Sequence, residues 1–263
     1  MEKVDLLQKY RVKRFDQIHG NKESLTLLKY LIANDNLSPG ILFDGDYGTC
    51  KTCGGRLTAR SYFCHNTTPE QIEPCNQCPS CAFFDTIKTE TGLAYNTNYI
   101  EVFCPDHYMD IKFFRKLFDR LYGCGRYRHG SDFFGSPKRI NTFVVFLNEF
   151  QRTDPSTRDL FLNKLEDDPS VIFLLTASTA DGAKVGRDIR DRLTTIKMNP
   201  LTLEESIYFI KEICVNEHIE WEQDGITELA EMSRGIPRKI ISSLKIFTSG
   251  INLSAGNVNK FLM

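Results

Sequence analysis

The chain has 263 residues, of which 41% are hydrophobic and 25% charged, a balance that excludes a wholly disordered polymer and leaves room for one large and one small domain. Its 33 basic and 34 acidic side chains give a formal net charge of −1. An indiscriminate polycationic coat for nucleic acid is therefore excluded, while a local basic face is not. No stretch approaches the ~18 consecutive apolar residues of a membrane helix. The charged N-terminus MEKVDLLQKYRVKRF has no apolar segment of the kind that starts a secretion signal, so a cytoplasmic protein is expected.

In chain order, Leu25 to Ala33 carries apolar residues at helical spacing, with Ser24 near its start, and Ser38-Pro39-Gly40 breaks the pattern. Ile41-Leu42-Phe43 reads as a strand, residues 44–49 as a turn-rich loop, and Lys51 to Tyr62 as a helix. That order opens a phosphate-binding α/β unit. A cysteine-rich insert follows, then a strand over 99–103 and an amphipathic helix over 110–122 with Ile111, Phe114, Leu117 and Leu121 on one side. A Gly-, Arg- and aromatic-rich loop over 123–139 leads to two more strand–helix pairs, 143–147 with 156–165 and 171–176 with 185–192. Such alternation predicts an α/β fold with a parallel sheet and helices on both faces. After Pro200 only helical patterns are expected, so the boundary is drawn there: residues 1–200 as a nucleotide-binding domain and 201–263 as a small all-helical domain. The tail over 250–263 is ambiguous.

Gly45-Asp-Tyr-Gly48-Thr-Cys50-Lys51-Thr52 nearly matches G-x-x-x-x-G-K-[ST], the loop whose backbone N–H groups cradle phosphates. In that chemistry Lys51 reaches the β- and γ-phosphates and the Thr52 hydroxyl holds Mg²⁺. Cys50 stands where the motif has glycine, which leaves open a loop that binds more weakly and a plain glycine turn that binds no nucleotide. The strand over 143–147 runs into Asn148-Glu149. In ATPases of this type the first of these positions supports Mg²⁺ and the second polarises the attacking water. Asn148 is neutral and weakens metal support, while Glu149 suits a general base. An ordinary strand end with a solvated glutamate is the alternative.

Of nine cysteines, four have the spacing Cys64-x10-Cys75-x2-Cys78-x2-Cys81. Two overlapping C-x-x-C steps plus a fourth thiol from the end of the preceding helix suit a closed, tetrahedral structural zinc site. Free thiols or a redox pair are the alternatives. Cys50, Cys53, Cys104, Cys124 and Cys214 are left as core or loop thiols.

The order of these motifs resembles the clamp-loader branch of the AAA+ ATPases, the bacterial DNA polymerase III gamma/tau and delta-prime subunits above all. Lys9-Tyr-Arg-Val-Lys-Arg-Phe-Asp-Gln-Ile-His-Gly20 is similar to the family's adenine-side signature, with Val12 in place of its proline. The four-cysteine insert matches in place and spacing. Asp110-Ile-Lys-x-x-x-x-Leu117 looks like the DNA-facing helix, Val171 to Ser178 like the sensor-1 strand, Asp191-Arg192-Leu193 like Ser-Arg-Cys, and Gly235-Ile-Pro-Arg238 like sensor 2.

The resemblance implies an AAA+ nucleotide-binding domain carrying a zinc module at about 64–81, then a helical lid. It implies ATP with Mg²⁺ held by Arg11, Ile18, Gly45, Gly48, Cys50, Lys51, Thr52, Ser178 and Arg238, with Asn148 and Glu149 catalytic. Arg192 becomes a finger reaching a neighbour's γ-phosphate, and Lys112 a DNA contact. The implied partners are other clamp-loader subunits in a ring, a sliding clamp and primer–template DNA. Arg126, Arg128, His129, Lys138 and Arg139 of the long loop are further phosphate candidates, with a solvated hairpin as the alternative. The family's C-terminal collar is expected to be absent from this chain. Three functions follow: an ATP-hydrolysing clamp-loader subunit, a non-hydrolysing structural subunit that supplies Arg192, and a zinc-stabilised AAA+ adaptor outside clamp loading.

Overall fold

The computed structural model describes residues 5–87, 93–96, 98–106, 109–123, 142–165 and 167–262. Short helix α1 (Leu6–Lys9) precedes α2 (Lys22–Ala33), β1 (Gly40–Gly45) and α3 (Lys51–Phe63). Then come α4 (Pro79–Thr86), β2 (Leu93–Asn96), β3 (Tyr99–Phe103), α5 (Ile111–Gly123) and β4 (Phe143–Asn148). α6 (Pro155–Lys164), β5 (Val171–Ser178), α7 (Arg187–Arg190) and β6 (Thr194–Met198) complete the sheet-bearing part. The strand order is β2-β3-β4-β5-β1-β6. Five strands are parallel, and β2 pairs antiparallel with β3 at one edge.

Period-2 alternation sends neighbouring residues of one strand into different cores. Ile41, Phe43, Val144 and Phe146 face α2 and α3, whereas Leu42, Val145, Leu147 and Phe173 face α5 and α6. Central strands buried on both faces need continuous apolar runs, which is why β1, β4 and β5 were legible. α3 lies tight on the sheet because Gly55 has no side chain: a Cβ there would come within 2.6 Å of the Phe146 ring.

Two strands depart from the expected pattern. Thr194-Thr-Ile-Lys-Met forms edge strand β6, with Ile196 and Met198 buried and Thr194 and Lys197 exposed. β2 adds the antiparallel edge. α2 begins at Lys22, after Asn21 in a left-handed conformation, rather than at Ser24. The loop residues Arg126, Arg128, His129, Lys138 and Arg139, with Cys124, lie outside the described residues.

The C-terminal region is helical: α8 (Leu203–Glu217), α9 (Gln223–Ser233), α10 (Pro237–Phe247) and α11 (Ala255–Leu262). The last of these resolves the ambiguous tail as helix. Thr202 and Glu205 cap α8 reciprocally. Ile210, Ile213, Ile226, Leu229, Ile240 and Leu244 build a separate core, joined by Leu6 of α1. The N-terminal segment is pinned to this region by Lys9–Glu217 at 2.7 Å and by Tyr10, whose hydroxyl donates to Glu217 at 2.6 Å. Among the described residues, no helix is long and apolar enough to cross a membrane.

Candidate nucleotide site and metal centre

β1, β4 and β5 all end on the same edge of the sheet, where open α/β folds bind ligands. Gly45 pairs in register with Ser178 and Met198, and Phe103 with Asn148. The loop after β1 turns directly into α3. Cys50 is the residue before that helix and is left-handed, φ 66°, a conformation costing a non-glycine residue about 1–2 kcal/mol. The loop keeps the shape a glycine would take and carries the strain instead. Gly48, at φ 85°, has no room for a side chain: a Cβ would come within 2.7 Å of Ile236 Cγ2 and 3.1 Å of Arg238 Cβ. The loop thus rests on the start of α10.

Lys51 Nζ donates to the carbonyls of Gly45 at 2.9 Å and Asp46 at 2.6 Å, and sits 5.5 Å from the centre of the Tyr47 ring. Burial pushes its ammonium down to about 8. Thr52 Oγ1 donates to Asn148 Oδ1 at 3.0 Å, and Thr176 Oγ1 donates to the same oxygen at 2.7 Å. Thr176 Oγ1 in turn accepts from the Glu149 backbone N–H at 2.8 Å. Glu149 is itself left-handed, φ 57°, and its carboxylate lies 3.9 Å from Arg152 Nε. Asn148 therefore occupies the acceptor position a carboxylate would hold, without the charge. Ser178 Oγ is buried and has no hydrogen-bond partner among the described residues. A buried hydroxyl left unpaired at a strand end is an unmet demand for a polar ligand or water, and with the loop geometry it fits a phosphate-bearing ligand.

Arg11 and Ile18 line a cleft of about 1230 Å³ together with Val12, Thr49, Cys50, Pro237 and Ile241. Its walls come from the N-terminal segment, α2, the phosphate loop, α8 and α10, and the apolar patch contributed by Val12, Ile18, Pro237 and Ile241 suits a planar base. Arg11 donates to the Ile87 carbonyl at 3.1 Å, and burial, then the neighbouring Arg56 guanidinium, lowers its pKa. Arg238 is exposed at the start of α10, its Cβ over Gly48. Gly45, Gly48, Cys50, Lys51, Thr52, Asn148, Glu149, Ser178, Arg11, Ile18 and Arg238 thus collect around one loop and its cleft. Two predicted residues do not join them. Arg192 is exposed after α7 and donates to the Asp188 carbonyl at 2.9 Å. Lys112 is exposed on α5, beside the equally exposed Arg115 and Lys116 one turn on.

Sequence reasoning missed three contributors. Thr176 is a polar residue in an otherwise apolar strand, and that interruption was the available signal. Asp44, buried at the end of β1, accepts from Lys197 and, at 3.3 Å, from Arg190. Although burial opposes it, these cations hold the Asp44 carboxyl below the usual range. Arg190, not Arg192, is the arginine that faces this chain's own strand end. Tyr47 bridges the loop to Asp181 at 3.2 Å and to Arg152 at 3.4 Å.

The second centre lies at the far end of α3. The sulfurs of Cys64, Cys75, Cys78 and Cys81 lie within 4.8 Å of one another. Cys64 ends α3, Cys78 caps α4 and Cys81 sits in its first turn. Left-handed Asn76, φ 60°, turns the chain between Cys75 and Cys78. Backbone N–H groups of Gln77 and Cys78 donate to Cys75 Sγ at 3.4 and 3.3 Å, and that of Cys81 to Cys78 Sγ at 3.5 Å. Donors aimed at sulfur favour the thiolate. The Cys64–Cys78 and Cys75–Cys81 sulfur separations are both 4.0 Å, close to the tetrahedral edge of about 3.8 Å set by a Zn–S bond of roughly 2.3 Å. The donor set fits a closed zinc site.

No family model matches the chain. It is 25% identical over 257 residues to the DNA polymerase III subunit gamma/tau of Mycoplasma genitalium, covering 96% of this chain and 39% of that protein. It is 24% identical over 254 residues to the DNA polymerase III subunit gamma of Buchnera aphidicola subsp. Acyrthosiphon pisum, covering 97% of this chain and 63% of that one. The chain therefore spans from somewhat over a third to under two thirds of the length of these relatives. Among solved structures it is similar to the RuvB Holliday junction branch migration motor of Thermotoga maritima, with a TM-score of 0.61, 16% identity, and 95% of this chain and 71% of that one covered. The fold is that of the RuvB motor, and the sequence is similar to the DNA polymerase III gamma and gamma/tau subunits over most of its length.

Proposed function

We propose that this chain is a clamp-loader-type AAA+ subunit that binds ATP with Mg²⁺ and, with partner subunits in a ring, helps load a sliding clamp onto primer–template DNA. The observation that carries the nucleotide part is the shared acceptor Asn148 Oδ1, which ties Thr52 on the phosphate-loop helix to Thr176 on β5. That link holds the Thr52 hydroxyl where it would meet the metal, and it holds Glu149 beside the loop for a role in activating water. Mg²⁺ supplies charge neutralisation at the phosphates when bound. The relatives named as polymerase III subunits support the assembly and the substrates.

On this reading residues 1–200 form the nucleotide-binding domain and 201–263 the lid, with Arg238 reaching the nucleotide from the lid. Arg192, exposed and outside the chain's own cleft, serves a neighbouring subunit, and Lys112 with its basic neighbours on α5 meets DNA phosphate. Zinc at Cys64, Cys75, Cys78 and Cys81 is structural: four thiolates leave no open position for substrate.

The neutral Asn148 favours a second reading, a structural subunit that binds nucleotide without turning it over. Native mass spectrometry of the reduced full chain with Mg-ATP tests the first step, since it reads zinc, nucleotide and stoichiometry together. One zinc and one nucleotide per chain support the proposal. A chain with zinc and no nucleotide refutes it. Turnover in the assembled ring, abolished by Glu149→Gln, then separates the hydrolytic from the structural reading.

A further inference from the structure

The segment that walls the base side of the cleft has little regular structure of its own. Between α1 and α2 it carries a short turn, Phe15–Gln17, yet Arg11, Val12 and Ile18 must be held still to line the cleft. The four-cysteine module holds them. Phe15 is 1% exposed, and a buried backbone N–H needs an acceptor. That N–H donates to the Glu73 carboxylate at 2.9 Å, and the other Glu73 oxygen lies 2.8 Å from Lys29 Nζ of α2. Asp85 of α4 pairs with Lys13 at 3.0 Å and accepts from the buried Arg60 guanidinium of α3 at 3.0 and 3.2 Å. The Ile87 carbonyl accepts from Arg11 at 3.1 Å. Ile72, Phe84 and Ile87 pack in the same core as Phe15 and Ile18.

We propose that the four-cysteine module braces the nucleotide cleft, with Glu73 and Asp85 as positioning residues that hold its base-side wall. The effect on nucleotide rests on the nucleotide-site reading above; the brace itself does not.

The cysteines place these clamps. Glu73 stands two residues before Cys75, Asp85 one helical turn after Cys81, and Arg60 one turn before Cys64. The Ser61 hydroxyl donates to the Ile72 carbonyl and ties the residue before Glu73 to α3. Sulfurs gathered within 4.8 Å of one another therefore fix the end of α3, the loop that carries Glu73 and the start of α4 as one body. A wall ordered in advance spares the ligand the cost of ordering it on binding. The phosphate groups are met at the other end of α3, where Lys51 and Thr52 are held by the loop carbonyls and Asn148. The brace is thus felt through the base, and a ligand that is phosphate alone does not feel it.

The test compares the zinc-loaded full chain with Glu73→Ala, Glu73→Gln and Lys13→Ala. Readouts are zinc content, amide hydrogen exchange resolved by residue, and calorimetric affinity for Mg-ATP and for magnesium tripolyphosphate. In Glu73→Ala zinc is retained and exchange of the Phe15 amide speeds up about tenfold or more. The same variant binds Mg-ATP about tenfold more weakly and tripolyphosphate as well as before. Glu73→Gln, which keeps an acceptor for the Phe15 N–H, recovers most of that loss. Lys13→Ala, which frees the segment from Asp85 without unpairing Arg60, weakens Mg-ATP by about two- to fivefold. Equal losses for both ligands, exchange raised across the whole sheet, or zinc lost from Glu73→Ala make the carboxylate merely structural and overturn the proposal. Unchanged Phe15 exchange or unchanged Mg-ATP affinity overturns it as well. A wild-type chain that binds neither ligand overturns the nucleotide-site reading, and Phe15 exchange alone then decides the brace.

Discussion

Asn148→Asp restores the charge that the nucleotide site lacks, and its effect has opposite signs with and without magnesium. Asn148 is 6% exposed, and its Oδ1 accepts from Thr52 at 3.0 Å and Thr176 at 2.7 Å. A carboxylate keeps both hydrogen bonds and strengthens them, since bonds to a charged group contribute about 1.5–3 kcal/mol against about 0.5–1.5 for neutral ones. Against a gain of about 2–3 kcal/mol for the pair stands the cost of burying an ion, which is several kcal/mol after relaxation. The Glu149 carboxylate on the next residue adds repulsion. The magnesium-free variant is therefore less stable by about 1–3 kcal/mol, a fall in Tm of roughly 2–10 °C for a chain of this size. With Mg-ATP the dication neutralises the introduced carboxylate and that deficit disappears, so the Mg-ATP-induced rise in Tm exceeds the wild-type rise by about the same few degrees. Scanning fluorimetry in magnesium-free buffer and in Mg-ATP reads both, without chelators that would strip zinc. Equal ligand-induced shifts in the two proteins, or a variant more stable without magnesium, would refute the placement of Asn148 beside the metal.

Cys78→Ser loses zinc and destabilises the sheet-bearing part by about 4 kcal/mol or more, the range reserved for a lost metal; a variant with normal denaturant midpoint and no zinc defeats the structural role. Lys51 is held below a free lysine, about 8 against 10.5, so the ligand-free protein gains stability as pH rises between those values. Binding a phosphate needs the charged form, so affinity for an ATP analogue falls roughly tenfold between pH 7 and pH 9, and a flat titration contradicts it. Arg192→Ala lowers hydrolysis in the assembled ring about 1000-fold or more while nucleotide affinity of the isolated chain is unchanged; a large loss in the isolated chain removes the role in trans. Gly48→Ala meets Ile236 and Arg238 and is left-handed, which costs about 2–4 kcal/mol by denaturant titration; a loss under about 0.5 kcal/mol means the loop does not rest on α10.

The central strands and the phosphate loop were readable because their determinants are local. β1, β4 and β5 are apolar runs of strand length bounded by turn residues, and Lys51, Thr52, Asn148 and Glu149 sit at fixed offsets from strand ends. β6 was unreadable because an edge strand buries one face, and Thr194 and Lys197 mask Ile196 and Met198. Thr176 and Asp44 were missed because their meaning depends on partners far along the chain. Thr176 acts through an acceptor 28 residues away, and Asp44 through Arg190, 146 residues away. Neither separation has a period that a local pattern could register. The two C-x-x-C steps of the four-cysteine cluster were readable for the opposite reason: such a turn carries its own backbone geometry.

The departures from the resembled motifs then acquire a common physical sense. Both Cys50 and Asn148 discard a property while keeping the geometry that property normally serves. At Cys50 the discarded property is freedom from strain. The left-handed backbone is retained, and Gly54 N–H closes on the Cys50 carbonyl at 2.8 Å as the helix begins. At Asn148 it is charge, and both hydroxyl partners remain. His218 and Arg234, also left-handed, end α8 and α9, where that conformation is a routine part of C-terminal capping. Cys50 and Glu149 instead stand before the helical turns that follow β1 and β4, and strain of this kind clusters at functional sites. The glycine-like backbone of Cys50 and the retained hydroxyl partners of Asn148 are what the proposed nucleotide site, with weakened metal support, requires.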